Sequence, residues 1–148
     1  MSNRIEKTIL LNAPLEKVWR ALTDYKEFGQ WFRVKIDGPF VPGQVSTGHM
    51  TYPGYEHVKW NAQIQQIDAF RYFSYTWHPY ALDPKVDYSH ETPTLVEFKL
   101  EAVEKGTRLT VIESGFDKLP PERFAAAFPK HEGGWEEQME NIQAHVES

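Results

Sequence analysis

The chain has 148 residues, a formal net charge of −5 and no cysteine, and its length predicts one domain, residues 1–148, with a sizeable core. The lack of cysteine excludes disulfides, thiolate catalysis and cysteine-held zinc or iron–sulfur clusters within this chain, and the negative charge disfavours nucleic acid as a partner. No segment approaches the ~20 apolar residues of a membrane span, and the first residues lack a secretory signal, so we expect a cytoplasmic protein without a membrane span.

The N-terminal segment predicts one short strand followed by two short helices. The run IEKTILLN is strand-like, and Pro14 suits the first position of a helix. Asp24 and Glu27 have the spacing of a capping box, which predicts a second helix from Asp24 toward Gly29. The apolar stripe of the first helix consists of Leu15, Val18, Trp19 and Leu22.

From Val34 to Gly115 the hydrophobic period is two, which predicts a meander of antiparallel strands. Turn pairs such as Pro53-Gly54 separate the strands. The alternation gives the sheet one apolar and one polar face, as antiparallel sheets commonly have. By this alternation, Glu113 points toward the covered face. His57 falls on the polar face and is expected at the surface.

The C-terminal region is predicted to supply the helix that covers the apolar face, with Trp135, Met139, Ile142 and Val146 along one side. Pro129 predicts a break or kink, so Gly133 and Gly134 are expected near the start of this helix. We explain the two glycines by a close approach to the sheet, or by a plain turn before the helix. At the same place, His131 is predicted to be solvated.

Three segments, NAPLEKVWRALTDYKEFGQWF, GTRLTVIESGF and GGWEEQMENIQAHV, resemble the SRPBCC superfamily of START-like, helix-grip proteins. Within it, the chain most resembles the branch named after the C-terminal domain of the activator of the ninety-kilodalton heat-shock chaperone's ATPase. The resemblance implies an α+β helix-grip fold: a curved antiparallel sheet wrapped around a long C-terminal helix, two short helices after the first strand, and a cavity between sheet and helix. The matching positions are Ala13-Pro14, Val18-Trp19, Ala21-Leu22-Thr23-Asp24, Trp31-Phe32, Gly106-Thr107, Leu109, Gly115-Phe116 and Gly134-Trp135.

Aromatic residues make up 14% of the chain, which predicts either an aromatic core or an aromatic pocket. The same inward residues can line a cavity or fill a closed core. Glu113 is a candidate polar anchor or general base, with His78, Tyr75 and Tyr80 as expected partners, unless its carboxylate swings into solvent. The candidate ligand-binding residues are Trp60, Phe73, Tyr75, Trp77, His78, Phe98, Val111, Glu113, Phe128, Trp135 and Met139.

The segment WHPYALDPKVDYSHETP, residues 77–93, is longer than a hairpin connection requires. One hypothesis makes it a lid or mouth over the cavity. The alternative is a proline-pinned surface loop whose aromatic side chains pack on the outside of the sheet. Its aromatic and imidazole side chains are Trp77, His78, Tyr80, Tyr88 and His90.

The sequence contains no P-loop, dinucleotide fingerprint, HExxH or GxSxG motif, and its six histidines are dispersed. We therefore expect no metal and no cofactor. The preferred function is binding of an apolar or aromatic small molecule in a central cavity. The alternatives are an interaction module that stimulates a chaperone ATPase, disfavoured because a separate chaperone-docking domain is lacking, and an enzyme acting on a cyclic or aromatic substrate. An enclosed cavity favours the first, and an exposed apolar patch rimmed by charge favours the second.

Overall fold

A seven-stranded antiparallel sheet and a long C-terminal helix make up the computed structural model, which describes residues 4–83 and 85–148. Residues 1–3 of the predicted domain and Pro84 of the predicted loop lie outside the described residues. The strands are β1 (Ile5–Leu11), β2 (Val34–Ile36), β3 (Val45–Met50), β4 (Lys59–Asp68), β5 (Tyr72–Trp77), β6 (Thr94–Val103) and β7 (Gly106–Ser114). The helices are α1 (Leu15–Thr23), α2 (Tyr25–Phe32) and α3 (Pro121–Glu147), and a 3₁₀ turn, Phe116–Lys118, precedes α3.

The strands lie in the order β1-β7-β6-β5-β4-β3-β2, and every neighbouring pair is antiparallel. From β2 to β7 each strand therefore pairs with the next one along the chain, while β1 completes the sheet beside β7. The alternation of buried and exposed residues along β4 and β6 follows the predicted period of two. The predicted α+β helix-grip architecture is confirmed.

The two short helices are positioned by local hydrogen bonds. The side chain of Asp24 accepts the backbone N–H groups of Lys26 (2.9 Å) and Glu27 (3.3 Å), so Asp24 is the cap of α2, which extends to Phe32. The second half of the predicted capping box is wrong, because the Asp24 N–H donates to the carbonyl of Arg20 (2.9 Å) and not to Glu27. The indole nitrogen Nε1 of Trp31 donates to the carbonyl of Ala21 on α1 at 2.8 Å. These contacts hold the aromatic face of α2 against the interior.

The predicted break at Pro129 is wrong, because α3 runs without interruption from Pro121 to Glu147. Pro121 occupies a favourable position in the first turn of the helix. Pro129 removes one amide that would bond to the carbonyl of Ala125, but both residues lie on the exposed side of the helix. Water can satisfy that carbonyl, so the packing of α3 on the sheet outweighs the local penalty.

Gly133 and Gly134 lie in the middle of α3 and not at its start. A methyl group built at either position meets open space within the part of the chain that the structure describes. The proposed close approach to the sheet is therefore wrong, and so is the alternative of a turn before the helix. The structure gives no reason for the two glycines.

Candidate functional site

Glu113 lies next to the end of β7, and its side chain is fully buried, with 0% exposure. The residue pairs with Ile5 of β1 on one side and Val96 of β6 on the other. Its backbone is thus held in the middle of the sheet, and the side chain points toward the covered face, as the alternation of β7 predicted. The carboxylate does not swing into solvent.

Four hydrogen-bond donors surround the carboxylate of Glu113, two on each oxygen. Oε1 accepts from Nδ1 of His131 (2.7 Å) and Nε1 of Trp135 (2.8 Å). Oε2 accepts from Nε1 of Trp77 (2.8 Å) and Oγ1 of Thr94 (2.5 Å). We call these five residues the Glu113 network. Its donors come from β5, β6 and α3, so one carboxylate connects three elements of the fold.

The predicted partners of Glu113, which were His78, Tyr75 and Tyr80, are wrong as hydrogen-bond donors to the carboxylate. Alternation along β7 gave the direction of the Glu113 side chain, but it could not identify the groups that face it. Strand ends and the helix supply those groups: Trp77 is the last residue of β5 and Thr94 the first of β6.

His131 is held between the carboxylate and the loop, and its side chain is only 15% exposed. The prediction that it is solvated is wrong because α3 begins at Pro121, which places position 131 within the helix, one turn before Trp135. Its Nε2 accepts the backbone N–H of Tyr80 at 3.2 Å. Since an imidazole nitrogen that accepts carries no proton, the proton lies on Nδ1 and is donated to Glu113.

The surroundings of Glu113 favour its charged form. Burial alone raises its pKa, but attraction to His131 in its protonated form and the hydrogen bonds from His131, Thr94 and Trp77 lower it, and the net pKa is below the ordinary value of 4.5. Glu113 is therefore ionised at neutral pH. With two donors on each oxygen, the carboxylate is fully satisfied inside the core.

Tyr75 presents a polar group that the protein leaves without a partner. Its side chain has 0% exposure, and its hydroxyl has no hydrogen-bond partner among residues 4–83 and 85–148. Burial raises its pKa well above 10.0, and the charge of Glu113 raises it further, so the phenol stays protonated. A buried hydroxyl with no partner is unusual in a folded protein and calls for an explanation by water or a ligand.

Aromatic rings occupy the space between the sheet and α3. Tyr75 contacts Trp60 and Trp77 at centroid distances of 5.5 and 5.3 Å. Trp135 contacts Trp77 at 6.0 Å and Phe98 at 5.7 Å. The predicted ligand-binding residues that are buried here are Trp60, Phe73, Tyr75, Phe98, Val111, Glu113, Trp135 and Met139.

Three predicted site residues are only partly buried. Trp77 belongs to the Glu113 network, whereas Phe128 packs in a separate group with Phe116 (5.1 Å) and Phe124 (5.2 Å). Nδ1 of His78 is buried without a hydrogen-bond partner among the described residues. Burial lowers the pKa of His78, and Arg123 lowers it further, against the opposing effect of Glu91. The ligand-binding role of all these residues stays a prediction.

An open groove of about 590 Å³ lies on the outside of the molecule, between α2 and β2. It contains none of the predicted ligand-binding residues. Its lining is formed by Tyr25, Lys26, Gly29, Gln30, Val34, Lys35, Ile36, Asp37 and Thr51.

The described parts of the long loop, residues 78–83 and 85–93, contact the first half of α3. Arg123 donates from Nε to both carboxylate oxygens of Glu91 (3.2 and 3.0 Å) and from Nη2 to the carbonyl of Pro79 (2.6 Å). Its guanidinium also lies 4.6 Å from the ring centre of Tyr88. Tyr80 packs against the core. Tyr88 therefore lies beside α3 and Tyr80 against the core, and neither packs on the outside of the sheet.

The sequence interpretation missed Thr94, His131, Arg123 and Glu91. The signal available for His131 was its spacing of four from Trp135, which places both side chains on one face of a continuous helix. Among the described residues, no group of three or more potential metal ligands was found. None of the described helices has the length and apolar character needed to cross a membrane.

Solved structures with the same fold cover nearly the whole chain. Protein MLL2253 from Mesorhizobium loti has a TM-score of 0.76 and 23% identity, over 97% of this chain and 96% of its own. A protein from Arthrobacter aurescens has a TM-score of 0.77 and 20% identity, over 98% of this chain and 86% of its own. Aha1 from Colwellia psychrerythraea, described as a dimer, has a TM-score of 0.72 and 18% identity, over 99% and 96%.

At these identities the structural likeness establishes the fold. No curated protein matches the sequence significantly. Residues 12–147, however, match the family described as Activator of Hsp90 ATPase homolog 1-like protein. The family match covers both short helices, the strands from β2 to β7 and all of α3. The resemblance inferred from the sequence is confirmed: the chain belongs to the family of Activator of Hsp90 ATPase homolog 1-like proteins.

Proposed function

We propose that this domain binds an apolar or aromatic small molecule between the sheet and α3, with Tyr75 as the group that recognises a polar atom of the ligand. The observation that carries this proposal is the fully buried hydroxyl of Tyr75, which has no partner among the described residues. Leaving a buried hydroxyl unpaired costs about 1–3 kcal/mol. Phenylalanine at this position would fill the same space without that cost.

The surroundings of Tyr75 define the class of ligand. Its ring is bordered by Trp60, Phe73, Trp77 and Phe98, and such surfaces favour flat, apolar molecules. Glu113 is ionised nearby and would repel an anion. We therefore propose a neutral or cationic ligand with an aromatic body and one hydrogen-bonding atom.

Binding requires side chains to move, because aromatic rings occupy the proposed site. Glu113 already has two donors on each oxygen, so a ligand that bonded to it would have to displace one of them. The hydroxyl of Tyr75 has no partner among the described residues and needs no such exchange. The polar anchor is therefore assigned to Tyr75, and the Glu113 network is assigned to hold the surrounding elements in place.

The test uses N-phenyl-1-naphthylamine, a neutral aromatic amine whose fluorescence increases in apolar surroundings. We expect saturable binding to the wild-type protein and a weaker affinity, by about three- to tenfold, for Tyr75→Phe, because one hydrogen bond contributes about 1 kcal/mol. Tyr72→Phe is the matched control: its hydroxyl bonds to Glu97 (2.5 Å) on the partly exposed side of the same strand. No saturable binding, or an equal loss in both variants, would contradict the proposal.

A chaperone partner is a second candidate, favoured by the description of the family to which the chain belongs. Tyr52 and Tyr55 are exposed and in ring contact at 5.8 Å, and Arg33 lies 5.7 Å from the ring of Tyr52. Exposed aromatic pairs beside a cation suit a protein interface. The test is the ATPase rate of a purified Hsp90 chaperone with this domain, compared with a Tyr52→Ala, Tyr55→Ala variant. An unchanged rate on adding the wild-type domain would exclude stimulation.

An enzyme acting on a cyclic or aromatic substrate is a third candidate, favoured by the contact between Glu113 and His131. A carboxylate that accepts Nδ1–H leaves Nε2 as the basic nitrogen, which could act as a general base once the Tyr80 N–H that it accepts has moved away. The test is whether a bound compound is converted, followed by mass spectrometry, and whether His131→Asn stops conversion but not binding. We also propose a cytoplasmic location, which rests on the sequence features and is tested by cell fractionation.

A further inference from the structure

The peptide bond between Pro79 and Tyr80 is held from both sides by α3. Its carbonyl oxygen accepts Nη2 of Arg123 at 2.6 Å, and its N–H donates to Nε2 of His131 at 3.2 Å. Arg123 and His131 are eight positions apart, about two turns of the helix. Tyr80 itself has a positive φ of 52°, a conformation that residues other than glycine seldom adopt. Contacts with α3 therefore hold the loop in an unfavourable backbone conformation.

The two contacts differ in their response to protons. The guanidinium of Arg123 is charged at any pH the protein experiences, and it also bonds to Glu91 and to the carbonyl of Tyr80. His131 accepts the Tyr80 N–H only while its ring is neutral. A protonated imidazole has N–H groups on both nitrogens, so Nε2–H would then face the N–H of Tyr80, donor against donor.

We infer that His131 is a proton-sensitive latch on the entrance to the proposed site: its neutral ring holds residues 78–80 over the Glu113 network, and protonation releases them. Arg123 keeps its hydrogen bonds to the loop, so the released residues move about this contact. The imidazolium stays beside the carboxylate, which attracts it. The biological role of this latch rests on the proposed function, because the latch would control how a ligand reaches Tyr75.

The position of His131 supports an entrance at this place. Its ring lies directly against Glu113 and 5.5 Å from the ring of Trp77. It is 15% exposed, whereas Glu113 behind it is 0% exposed. Release of the Tyr80 N–H therefore loosens the contact that lies between solvent and the buried carboxylate.

The effect of His131 must be distinguished from the effects of other ionisable groups nearby. Glu113 from β7 bonds directly to His131, and its charge also acts on Tyr75 from β5. In the loop, Asp87, His90 and Glu91, together with Arg123 from α3, act on His78. Glu113 keeps its charge because its pKa is lowered, and Tyr75 keeps its proton because its pKa is raised. His78 and His90 also carry imidazoles, so the test must distinguish their effects from that of His131.

The test is the protection of the Tyr80 amide against hydrogen exchange, measured by NMR between about pH 7.5 and 5.5. One proton linked to opening changes the open population by up to about tenfold per pH unit, so we expect protection of this amide to fall by about ten- to a hundredfold. The amide of Val96, in the centre of the sheet, should keep its protection. At neutral pH, ¹⁵N shifts should show the proton of His131 on Nδ1.

The variant His131→Asn keeps one of the two hydrogen bonds made by the His131 ring and removes the other. An asparagine amide nitrogen takes the place of Nδ1 and can still donate to Glu113, but nothing replaces Nε2. Protection of the Tyr80 amide should then be low at both pH values. His145→Asn is the matched control, since His145 also lies on α3 beside a glutamate, Glu27 (3.1 Å), and it should behave as wild type.

A Tyr80 amide whose protection in the wild-type protein does not fall with pH would overturn the latch, whatever binds to the protein. A pH response that persists in His131→Asn would assign it to His78 or His90 and would also overturn the latch. These measurements need no ligand. If the amide responds as expected but N-phenyl-1-naphthylamine does not bind, the latch stands and the proposed function fails.

Discussion

Replacement of Glu113 by glutamine tests whether the buried carboxylate holds the fold together. Glutamine keeps the shape but replaces one acceptor oxygen by an NH₂ donor. If the NH₂ takes the place of Oε2, the hydroxyl of Thr94 can rotate to accept from it, but the indole N–H of Trp77 loses its acceptor. If the NH₂ takes the place of Oε1, the indole N–H of Trp135 loses its acceptor instead. Either orientation leaves at least one buried donor unpaired.

The size of the effect follows from these contacts. One buried, unpaired donor costs about 1–3 kcal/mol, and the remaining hydrogen bonds weaken because hydrogen bonds to a charged group are about twice as strong as neutral ones. Relief of the desolvation penalty of the charge offsets part of this loss. We expect Glu113→Gln to lower the free energy of unfolding by about 2–4 kcal/mol, out of the 5–15 kcal/mol typical of a small domain.

The assay is urea denaturation followed by far-UV circular dichroism, because tryptophan emission would respond directly to the change beside two indoles. Glu97→Gln is the control: Glu97 accepts a hydrogen bond from Tyr72 (2.5 Å) on the partly exposed face, and its replacement should change stability by less than about 0.5 kcal/mol. A change in Glu113→Gln no larger than that of the control would refute the argument from unpaired donors.

The difference in the free energy of unfolding between wild type and Glu113→Gln is also expected to depend on pH. The folded-state pKa of Glu113 is below its ordinary value of 4.5, so its charge stabilises the fold fully above that value and ceases to do so as the pH falls through the folded-state pKa. The difference in stability between wild type and Glu113→Gln should therefore shrink as the pH falls below about 4.5. A difference that does not shrink in acid would contradict the assignment of the charge.

Three further predictions concern the interior and α3. Gly133→Ala and Gly134→Ala should each raise the free energy of unfolding by about 0.5–1 kcal/mol in urea, because the new methyl group meets open space; a loss of stability would indicate a packing role for the glycines. Trp135→Ala should lower it by about 3–5 kcal/mol, because the side chain is buried, and red-shifted emission from a variant retaining only Trp135 would contradict that burial. In the absence of ligand, Tyr75→Phe should be about 1–3 kcal/mol more stable than wild type, measured by thermal denaturation, because the unpaired hydroxyl is removed; unchanged or lower stability would show that the hydroxyl has a partner.

The strands could be predicted from the sequence because each one has a single covered face. A shift of one residue would turn the whole apolar set toward water, so the alternation in β4, β6 and β7 determines which side chains point inward. The direction of Glu113 follows from the same rule. The alternation contains no information on which groups from other elements meet an inward side chain.

The start of α3 could not be predicted, because local rules and packing disagree there. Proline within a helix is locally unfavourable, and Pro129 therefore indicated a boundary. In the structure, tertiary contacts from Arg123 and His131 hold the helix on both sides of the proline. This one error in the helix start led to two others, the solvated His131 and the glycines at a helix entrance.

The partners of Glu113 could not be predicted because they are distant in sequence and two of them are tryptophans. Hydrophobic patterns place Trp77 and Trp135 in the core, but they do not indicate that each indole also carries an N–H that needs an acceptor. A single buried carboxylate meets this need for both. The charge in the core therefore has a structural explanation that requires no ligand.

That explanation changes where a binding function has to be sought. Since the Glu113 network is complete, removal of any member breaks a hydrogen bond to the buried carboxylate, and a ligand gains nothing by bonding to it. Tyr75, next to the network, is the opposite case: its hydroxyl has no partner among the residues that the structure describes, and a further molecule can supply one. The carboxylate fixes the ends of β5 and β6 and the middle of α3 around this hydroxyl. A neutral group on the ligand can then meet Tyr75 without disturbing the charges that hold the site in shape.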